Sequence, residues 1–117
     1  MDGLEIQQAE GRSGARILIL KGPLTLQSLF EFQDLVRRDL PSNLIIDLGE
    51  VPYIDSAGLG AILGGYASCE RNGRRFGLAR VSQRVLTLLK VVGVDTIVPQ
   101  YESVEAAERQ LAAKTAG

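Results

Sequence analysis

Hydrophobic and polar residues follow two alternating periodicities along this chain. Short apolar or alternating runs predict five strands, at Leu4–Gln7, Arg16–Lys21, Asn43–Leu48, Arg75–Ala79 and Thr96–Pro99. In the segment that follows each strand from the second onward, apolar residues recur at three- and four-residue spacing, which predicts four helices. The resulting order is ββαβαβαβα. It indicates a single α/β domain whose later strands run largely parallel, because a helix carries the chain back between them.

Capping residues and helix breakers set the limits of the four predicted helices. Serine, threonine and aspartate accept hydrogen bonds from the free N–H groups of a helix start, whereas proline and glycine end helices. The predicted helices begin at Thr25, Asp55, Ser82 and Ser103, and the first three end at Leu40 (before Pro41), Asn72 and Val92. The inward-facing residues of the first are Leu29, Phe32, Val36 and Leu40. We expect one domain over residues 1–117, ordered over about 4–112, with a frayed tail at 113–117.

Composition excludes several kinds of chemistry. The net charge is −1, from 13 basic and 14 acidic residues, so nucleic acid and anionic membranes are not expected partners. With no histidine and one cysteine, the chain alone cannot assemble a histidine-dependent nucleophile, a common zinc site or an internal disulfide. It shows neither a signal peptide nor an apolar run of the roughly 20 residues that span a bilayer. We therefore expect a cytoplasmic, non-enzymatic protein without metal, cofactor or membrane insertion.

The second predicted helix has an unusual distribution of side chains. Its bulky apolar residues, which we expect to face the core, are Leu59, Ile62, Leu63 and Tyr66. The opposite side carries only small residues, at Ala57, Ala61, Gly64 and Ser68, although each glycine inside a helix costs up to about 1 kcal/mol relative to alanine. Either a neighbouring element of the same fold packs closely against this stripe, or a partner protein docks on it.

Asp55 and Ser56 stand at the predicted start of the same helix. Both are ordinary capping residues, because their side-chain oxygens accept from free backbone N–H groups. The other interpretation makes Ser56 a phosphoacceptor, since a helix N-terminus offers N–H donors and a positive dipole end to a phosphate. The chain lacks both a Gly-x-Ser-x-Gly elbow with its histidine and a Walker lysine, so we set aside a hydrolase and treat a nucleotide-binding loop as a weak match.

Two stretches of the sequence resemble a known family. Asp47-Leu48 before a loop, followed by Tyr53-Ile54-Asp55-Ser56-Ala57-Gly58-Leu59-Gly60, resembles the signature of STAS domains, specifically bacterial anti-sigma factor antagonists. Residues 91–101, followed by Ser103-Val104-Glu105-Ala106-Ala107, resemble the C-terminal part of the family. The resemblance covers nearly the whole chain. It implies a mixed β-sheet with helices packed mainly on one side.

The resemblance also implies a function. Family members bind an anti-sigma factor and thereby free sigma factor for RNA polymerase. In many of them the anti-sigma factor is a serine kinase that uses its own ATP and magnesium to phosphorylate the serine matching Ser56, and a phosphatase reverses the step. The expected neighbourhood of the phosphorylated serine is Asp47, Asp55 and Thr25. The expected partner-binding residues are Ser56, Ala57, Gly58, Gly60, Ala61 and Gly64.

One position departs from the family pattern. The loop after the second strand reads Gly22-Pro23-Leu24-Thr25, where phosphorylated members carry Gly-Glu-Leu-Asp or a similar sequence with an acid that helps to form the site. Thr25 either weakens phosphorylation or simply replaces one N-cap residue by another. Two other functions stay open: a STAS scaffold or accessory subunit of a sensor or transporter complex regulated without phosphorylation, and a small-molecule or nucleotide-binding module.

Overall fold

A computed structural model describes residues 3–12, 14–38 and 43–116, with side chains up to residue 112. Its elements are β1 (Glu5–Glu10), β2 (Arg16–Lys21), α1 (Leu29–Arg37), β3 (Leu44–Glu50), α2 (Ser56–Arg71), β4 (Phe76–Ala79), α3 (Gln83–Val91), β5 (Gln100–Tyr101) and α4 (Val104–Ala116). The predicted fold class and element order are confirmed. Among the described residues, no helix has the length and apolarity needed to cross a membrane.

The five strands form one mixed sheet in the order β1-β2-β3-β4-β5. β1 pairs antiparallel with β2, so that Glu5 lies opposite Lys21 and Glu10 opposite Arg16. Opposite charges at facing positions of an antiparallel pair are favourable and help to set its register. The pairs β2–β3, β3–β4 and β4–β5 are all parallel, which agrees with the helical crossovers predicted between them.

Helices cover the sheet unequally on its two faces. The larger core joins Leu44, Ile46 and Leu48 of β3 to the buried residues of α1, α2 and α3. The smaller core joins Ile45 of the same strand to α4 and its Leu111. Successive side chains of a strand point to opposite faces, so β3 contributes to both cores. The arrangement implied by the family resemblance, with helices mainly on one side, is confirmed.

Asp47 anchors the carboxyl ends of the central strands. It is 5% exposed, and alternation along β3 places it on the same face as Ile45 and α4. Arg80, just after β4, donates from Nε to Asp47 Oδ1 at 2.9 Å and from Nη2 to Oδ2 at 3.0 Å, while the Gly49 N–H donates to Oδ1 at 3.0 Å. The hydrogen bonds and charge of Asp47 raise the pKa of Arg80 above its ordinary value. The carboxylate is therefore committed to a structural ion pair.

An uncommon backbone conformation and a close side-chain contact accompany this ion pair. Arg80 adopts the left-handed region with φ of 57°, which is uncommon for a residue other than glycine. Its guanidinium lies so close over Gly49 that a Cβ there would stand 2.3 Å from Arg80 Cζ. A side chain at position 49 would therefore push the guanidinium away from Asp47.

Three predicted elements differ from the structure. β1 runs over Glu5–Glu10 rather than Leu4–Gln7. α1 begins at Leu29 rather than Thr25, because residues 26–28 form a turn in which the Thr25 carbonyl accepts from the Ser28 and Leu29 N–H groups. The last strand is Gln100–Tyr101 rather than Thr96–Pro99, because pairing with Leu78 and Ala79 of β4 begins only after Pro99. Leu40 and Pro41, predicted to end the first helix, lie outside the described residues.

We expect Asp47→Asn to lower the free energy of unfolding by about 1–3 kcal/mol, the range for hydrogen bonds to a charged group whose partner remains. The amide keeps the volume but turns one N–H toward the Arg80 guanidinium. Urea unfolding at pH 7 measures the change. Asp34→Asn is the matched control, because Asp34 forms an exposed i,i+4 pair with Arg38 and its loss should change stability by less than about 0.5 kcal/mol. Equal losses in the two variants would contradict the anchoring role.

Candidate functional site

A short parallel bridge joins the loop after β2 to the loop before α2. Leu24 and Ile54 are the paired residues, and both side chains are buried in the larger core. The Leu24 N–H donates to the Tyr53 carbonyl at 3.3 Å, and the Asp55 N–H donates to the Leu24 carbonyl at 3.3 Å. This bridge brings the chain around Thr25 against the start of α2.

Asp55 caps α2 and ties the two loops together. Its Oδ1 accepts from the Gly58 N–H at 2.8 Å, the usual bond of an N-cap residue, and its Oδ2 accepts from the Leu26 N–H at 3.2 Å. The bond from Gly58, assisted by the one from Leu26, lowers the pKa of Asp55 against the opposing effect of desolvation. The ionised carboxylate thus belongs to the local framework.

Ser56 is the first residue of α2 and is exposed. Asp55 performs the capping, so the serine hydroxyl is not needed for it, and none of the residues that the structure describes forms a hydrogen bond with that hydroxyl. The first turn of α2 contains no acidic side chain. The structure therefore presents a free hydroxyl to solvent at the positive end of a 16-residue helix.

The residues expected around Ser56 are only partly brought together. A surface groove at the start of α2 is lined by Thr25, Leu26, Gln27, Tyr53 and Asp55, so Thr25 and Asp55 lie close together. Thr25 Oγ1 accepts from the Gln27 N–H at 3.3 Å. Asp47 was expected here too, but that placement is wrong. Strand alternation puts it on the α4 face, where Arg80 holds its carboxylate.

Neighbouring elements account for several of the small residues of α2. A Cβ on Gly58 would lie 2.1 Å from the Leu24 carbonyl oxygen, so no larger residue fits without a shift of the backbone. Ala61 is 4% exposed and belongs to the larger core, and Gly65 faces Val36 of α1 and Phe76 of β4. The expectation that Gly58 and Ala61 contact a partner is therefore corrected. Both are buried because α2 packs against α1 as well as against the sheet.

Two other glycines of α2 are accessible. Gly60 and Gly64 are exposed, and a Cβ on either would meet nothing within 4 Å. They follow Ser56 at four-residue intervals and so share one side of α2, beside the half-buried Ala57. We call Ser56, Ala57, Gly60 and Gly64 the α2 face. It carries no charge and no large side chain.

Two large side chains beside this face lie at the surface. Leu26 is 60% exposed and Tyr53 is 41% exposed. The Arg84 guanidinium of α3 lies 5.5 Å from the centroid of the Tyr53 ring, a cation–π arrangement. No signal in the sequence identified these residues, since loop geometry and not periodicity decides their exposure.

The group that the described residues of the site offer for chemistry is the Ser56 hydroxyl. Cys69 is buried, and burial raises the pKa of its thiol, so it supplies no reactive thiolate. Within the described ranges, no cluster of three histidine, cysteine, aspartate or glutamate side chains is placed to hold a metal ion. What the arrangement can do is accept a group on Ser56 and present an uncharged helix face.

The sequence profile of the STAS domain matches residues 7–107, which is most of the chain. The chain belongs to the STAS domain family. Within that family, it is 26% identical over 100 residues to an anti-sigma F factor antagonist of Paenibacillus polymyxa, across 82% of this chain and 86% of that protein. The matched segment includes the whole of α2 and its capped start.

Solved structures show the same STAS fold. An anti-sigma factor antagonist from Mycobacterium paratuberculosis superposes with a TM-score of 0.84 at 18% identity, covering 95% of this chain and 96% of that one. The murine anion transporter Slc26a9 also matches, with a TM-score of 0.75 at 16% identity, covering 97% of this chain but only 22% of the transporter. At these identities the likeness concerns the fold alone, and the same STAS fold serves proteins of different kinds.

Alanine at two glycines of α2 should change stability in opposite directions. Gly58→Ala is expected to lower the free energy of unfolding by about 1–3 kcal/mol, because its methyl group meets the Leu24 carbonyl. Gly64→Ala is expected to raise it by up to about 1 kcal/mol, because the site is open and alanine favours helix. Urea unfolding followed by circular dichroism measures both. A Gly58→Ala variant as stable as the native protein would contradict the close contact.

The charge of Asp55 should stabilise the fold only above acidic pH. The pKa of Asp55 is lower in the folded chain than its ordinary value of 3.8. Its contribution is therefore complete above that value and is lost as pH falls through the lower folded pKa. Asp55→Asn keeps the capping oxygen, so its stability deficit relative to the native protein should be largest near pH 7 and shrink below about pH 4. Unfolding curves from pH 7 to pH 2.5 test this, and a constant deficit would contradict it.

Proposed function

We propose that this protein is an anti-sigma factor antagonist. It binds a cytoplasmic anti-sigma factor that is also a serine kinase, releases sigma factor, and is switched off by reversible phosphorylation of Ser56, which a phosphatase undoes. The observation that carries the proposal is the exposed Ser56 hydroxyl, unused by the fold, at the capped start of α2. The relative named as an anti-sigma F factor antagonist supports the same function. The protein itself catalyses no reaction in this scheme.

A phosphate on Ser56 would act through charge and not through unfolding. It would add about −1.5 to −2 charges beside the ionised Asp55, on a face that otherwise carries no charge. The positive end of the α2 dipole tolerates this charge, so the fold is retained. A partner packed against the α2 face, however, would have to desolvate it without a counter-charge, which is strongly unfavourable.

The exposed glycines provide a reason for the partner to bind at this helix. Gly60 and Gly64 each cost helix stability, and nothing in the described fold occupies the space beside them. A partner backbone or bulky side chain can approach α2 more closely there than it can approach a helix with side chains. We therefore assign partner binding to Ser56, Ala57, Gly60 and Gly64.

The presence of Thr25, where the resemblance leads us to expect an acid, supports a second candidate function. Among the described residues that line the groove beside Ser56, Asp55 alone is acidic, and its carboxylate is already bonded to backbone N–H groups. If no kinase modifies Ser56, the chain is a STAS scaffold or accessory subunit of a sensor or transporter complex. The fold match to Slc26a9 is compatible with this second function.

Substitutions at Ser56 should separate binding from switching. Ser56→Ala is expected to bind the anti-sigma factor of the same organism as tightly as the native protein and never to be released by ATP. Ser56→Asp should bind at least about tenfold more weakly, because a buried unpaired carboxylate costs more than 1.4 kcal/mol. Isothermal titration calorimetry measures the Kd values. Gln110→Glu, which adds the same charge at an exposed position of α4 on the other face of the sheet, is the matched control and should retain near-native affinity.

The kinase reaction tests the modification itself. Incubation with the same anti-sigma factor, ATP and magnesium, followed by mass spectrometry, should locate phosphate on Ser56, and Thr25→Asp should speed its incorporation if an acid at this loop assists the transfer. Tight binding without phosphate at Ser56, together with equal affinity of the Ala and Asp variants, would reject the switch and favour the scaffold. No binding would reject the antagonist function.

A further inference from the structure

A second groove lies on the other side of Tyr53, between the loop before α2 and helix α3. Tyr53 and Ile54 line one side, and Arg84, Leu88 and Val91 line the other. These α3 residues recur at four- and three-residue spacing, so they form one continuous stripe along the helix. Val91 is 76% exposed and Tyr53 is 41% exposed, so both sides of the groove present apolar surface to solvent. We call this the α3 groove.

The rim of the α3 groove is positively charged. α3 carries Arg84 and Lys90 and no acidic residue, and none of the described residues that line the groove is acidic. In the described part of the chain, Arg84 has the Tyr53 ring as its neighbour and forms no ion pair. Asp95, in the loop after α3, does not line the groove, and two acids of the preceding segments are engaged elsewhere. Asp55 accepts from two backbone N–H groups, and Glu50 lies 3.9 Å from Lys21.

Tyr53 connects this groove to the start of α2. The same ring also lines the groove that contains Thr25, Leu26 and Asp55. A partner that covers Ser56 therefore reaches Tyr53 on its way to α3, and the two grooves can be covered by one continuous surface. The partner needs to extend beyond the helix start to use the exposed apolar area of Val91.

We infer that the α3 groove binds an amphipathic, acidic segment of the anti-sigma partner. The segment inserts an apolar side chain between Tyr53 and Val91 and places a carboxylate on the Arg84 guanidinium. The inference rests on the proposed function and adds a second contact region to it. Charge complementarity selects this occupant, because an apolar cleft with an unpaired guanidinium at its edge favours a segment that carries both an apolar residue and an acid.

The kinase would also bind the α3 groove while it phosphorylates Ser56. Contacts that are equal in the bound and the transition state lower KM without changing kcat. Substitutions in the groove should therefore raise KM for phosphorylation of Ser56 and leave kcat unchanged. A merely structural role for these exposed side chains would move neither constant.

The test uses the anti-sigma factor of the Ser56 experiment as its probe. Val91→Ser is expected to weaken binding about fivefold, and Arg84→Glu at least about tenfold, because the latter reverses the charge offered to the acidic segment. Arg84→Lys should retain part of the affinity. Ile97→Ser is the matched control, since Ile97 is 53% exposed but lies outside the groove, and its affinity should be native. All four variants should melt at the native temperature, because the substituted side chains are exposed.

The outcomes distinguish the two proposals. If the native protein binds and Ser56→Asp abolishes binding while Val91→Ser and Arg84→Glu bind normally, the α3 groove is not used and the antagonist function stands. If the native protein does not bind the anti-sigma factor, both are overturned. If sedimentation of the native protein alone shows a dimer that Val91→Ser dissociates, the groove is occupied by a second copy and the inference is wrong.

Discussion

The candidate site depends on the close approach of the Leu24 carbonyl to α2. That oxygen accepts the Asp55 N–H and lies where a Cβ on Gly58 would be only 2.1 Å away. The contact places the loop after β2 against the helix start, so that the Asp55 carboxylate can bond Gly58 of its own helix and Leu26 of the other loop. Capping is thereby complete without Ser56. The Ser56 hydroxyl is exposed to solvent because the Asp55 carboxylate, one residue earlier, accepts the capping hydrogen bond of the helix.

The two acids near this region have different roles because strand geometry separates them. The Asp47 side chain extends from β3 toward the α4 face of the sheet and forms an ion pair with Arg80. Asp55 is the N-cap of α2, on the face of the larger core. The first fixes the carboxyl ends of β3 and β4 relative to each other, which steadies the loop that leads to α2. The second organises that loop at its far end. Negative charge around Ser56 therefore comes from Asp55, and Thr25 adds none.

The sequence predicted what local chemistry decides and missed what tertiary contacts decide. Element order and the start of α2 followed from periodicity and from the Asp55 cap. The start of α1 did not, because Ser28 Oγ accepts from the Thr25 N–H and donates to the Pro23 carbonyl, which stabilises a turn where a helix was expected. Thr96–Val98 has strand-forming residues, yet the chain pairs with β4 only beyond Pro99. Ala61 looked exposed because one apolar stripe suggests one packed side, whereas α2 packs against two neighbours.

Phosphorylation and binding can be separated physically if the partner uses both the α2 face and the α3 groove. A charge at Ser56 is screened by salt over about 8 Å, so its effect falls mainly on groups packed around the helix start. Contacts made at Val91 and Arg84 belong to another helix, α3, on the other side of Tyr53. A kinase that must bind its substrate, modify it and then release it gains from this division. The groove supplies affinity that does not depend on the state of Ser56, while the uncharged α2 face supplies the part that a phosphate removes.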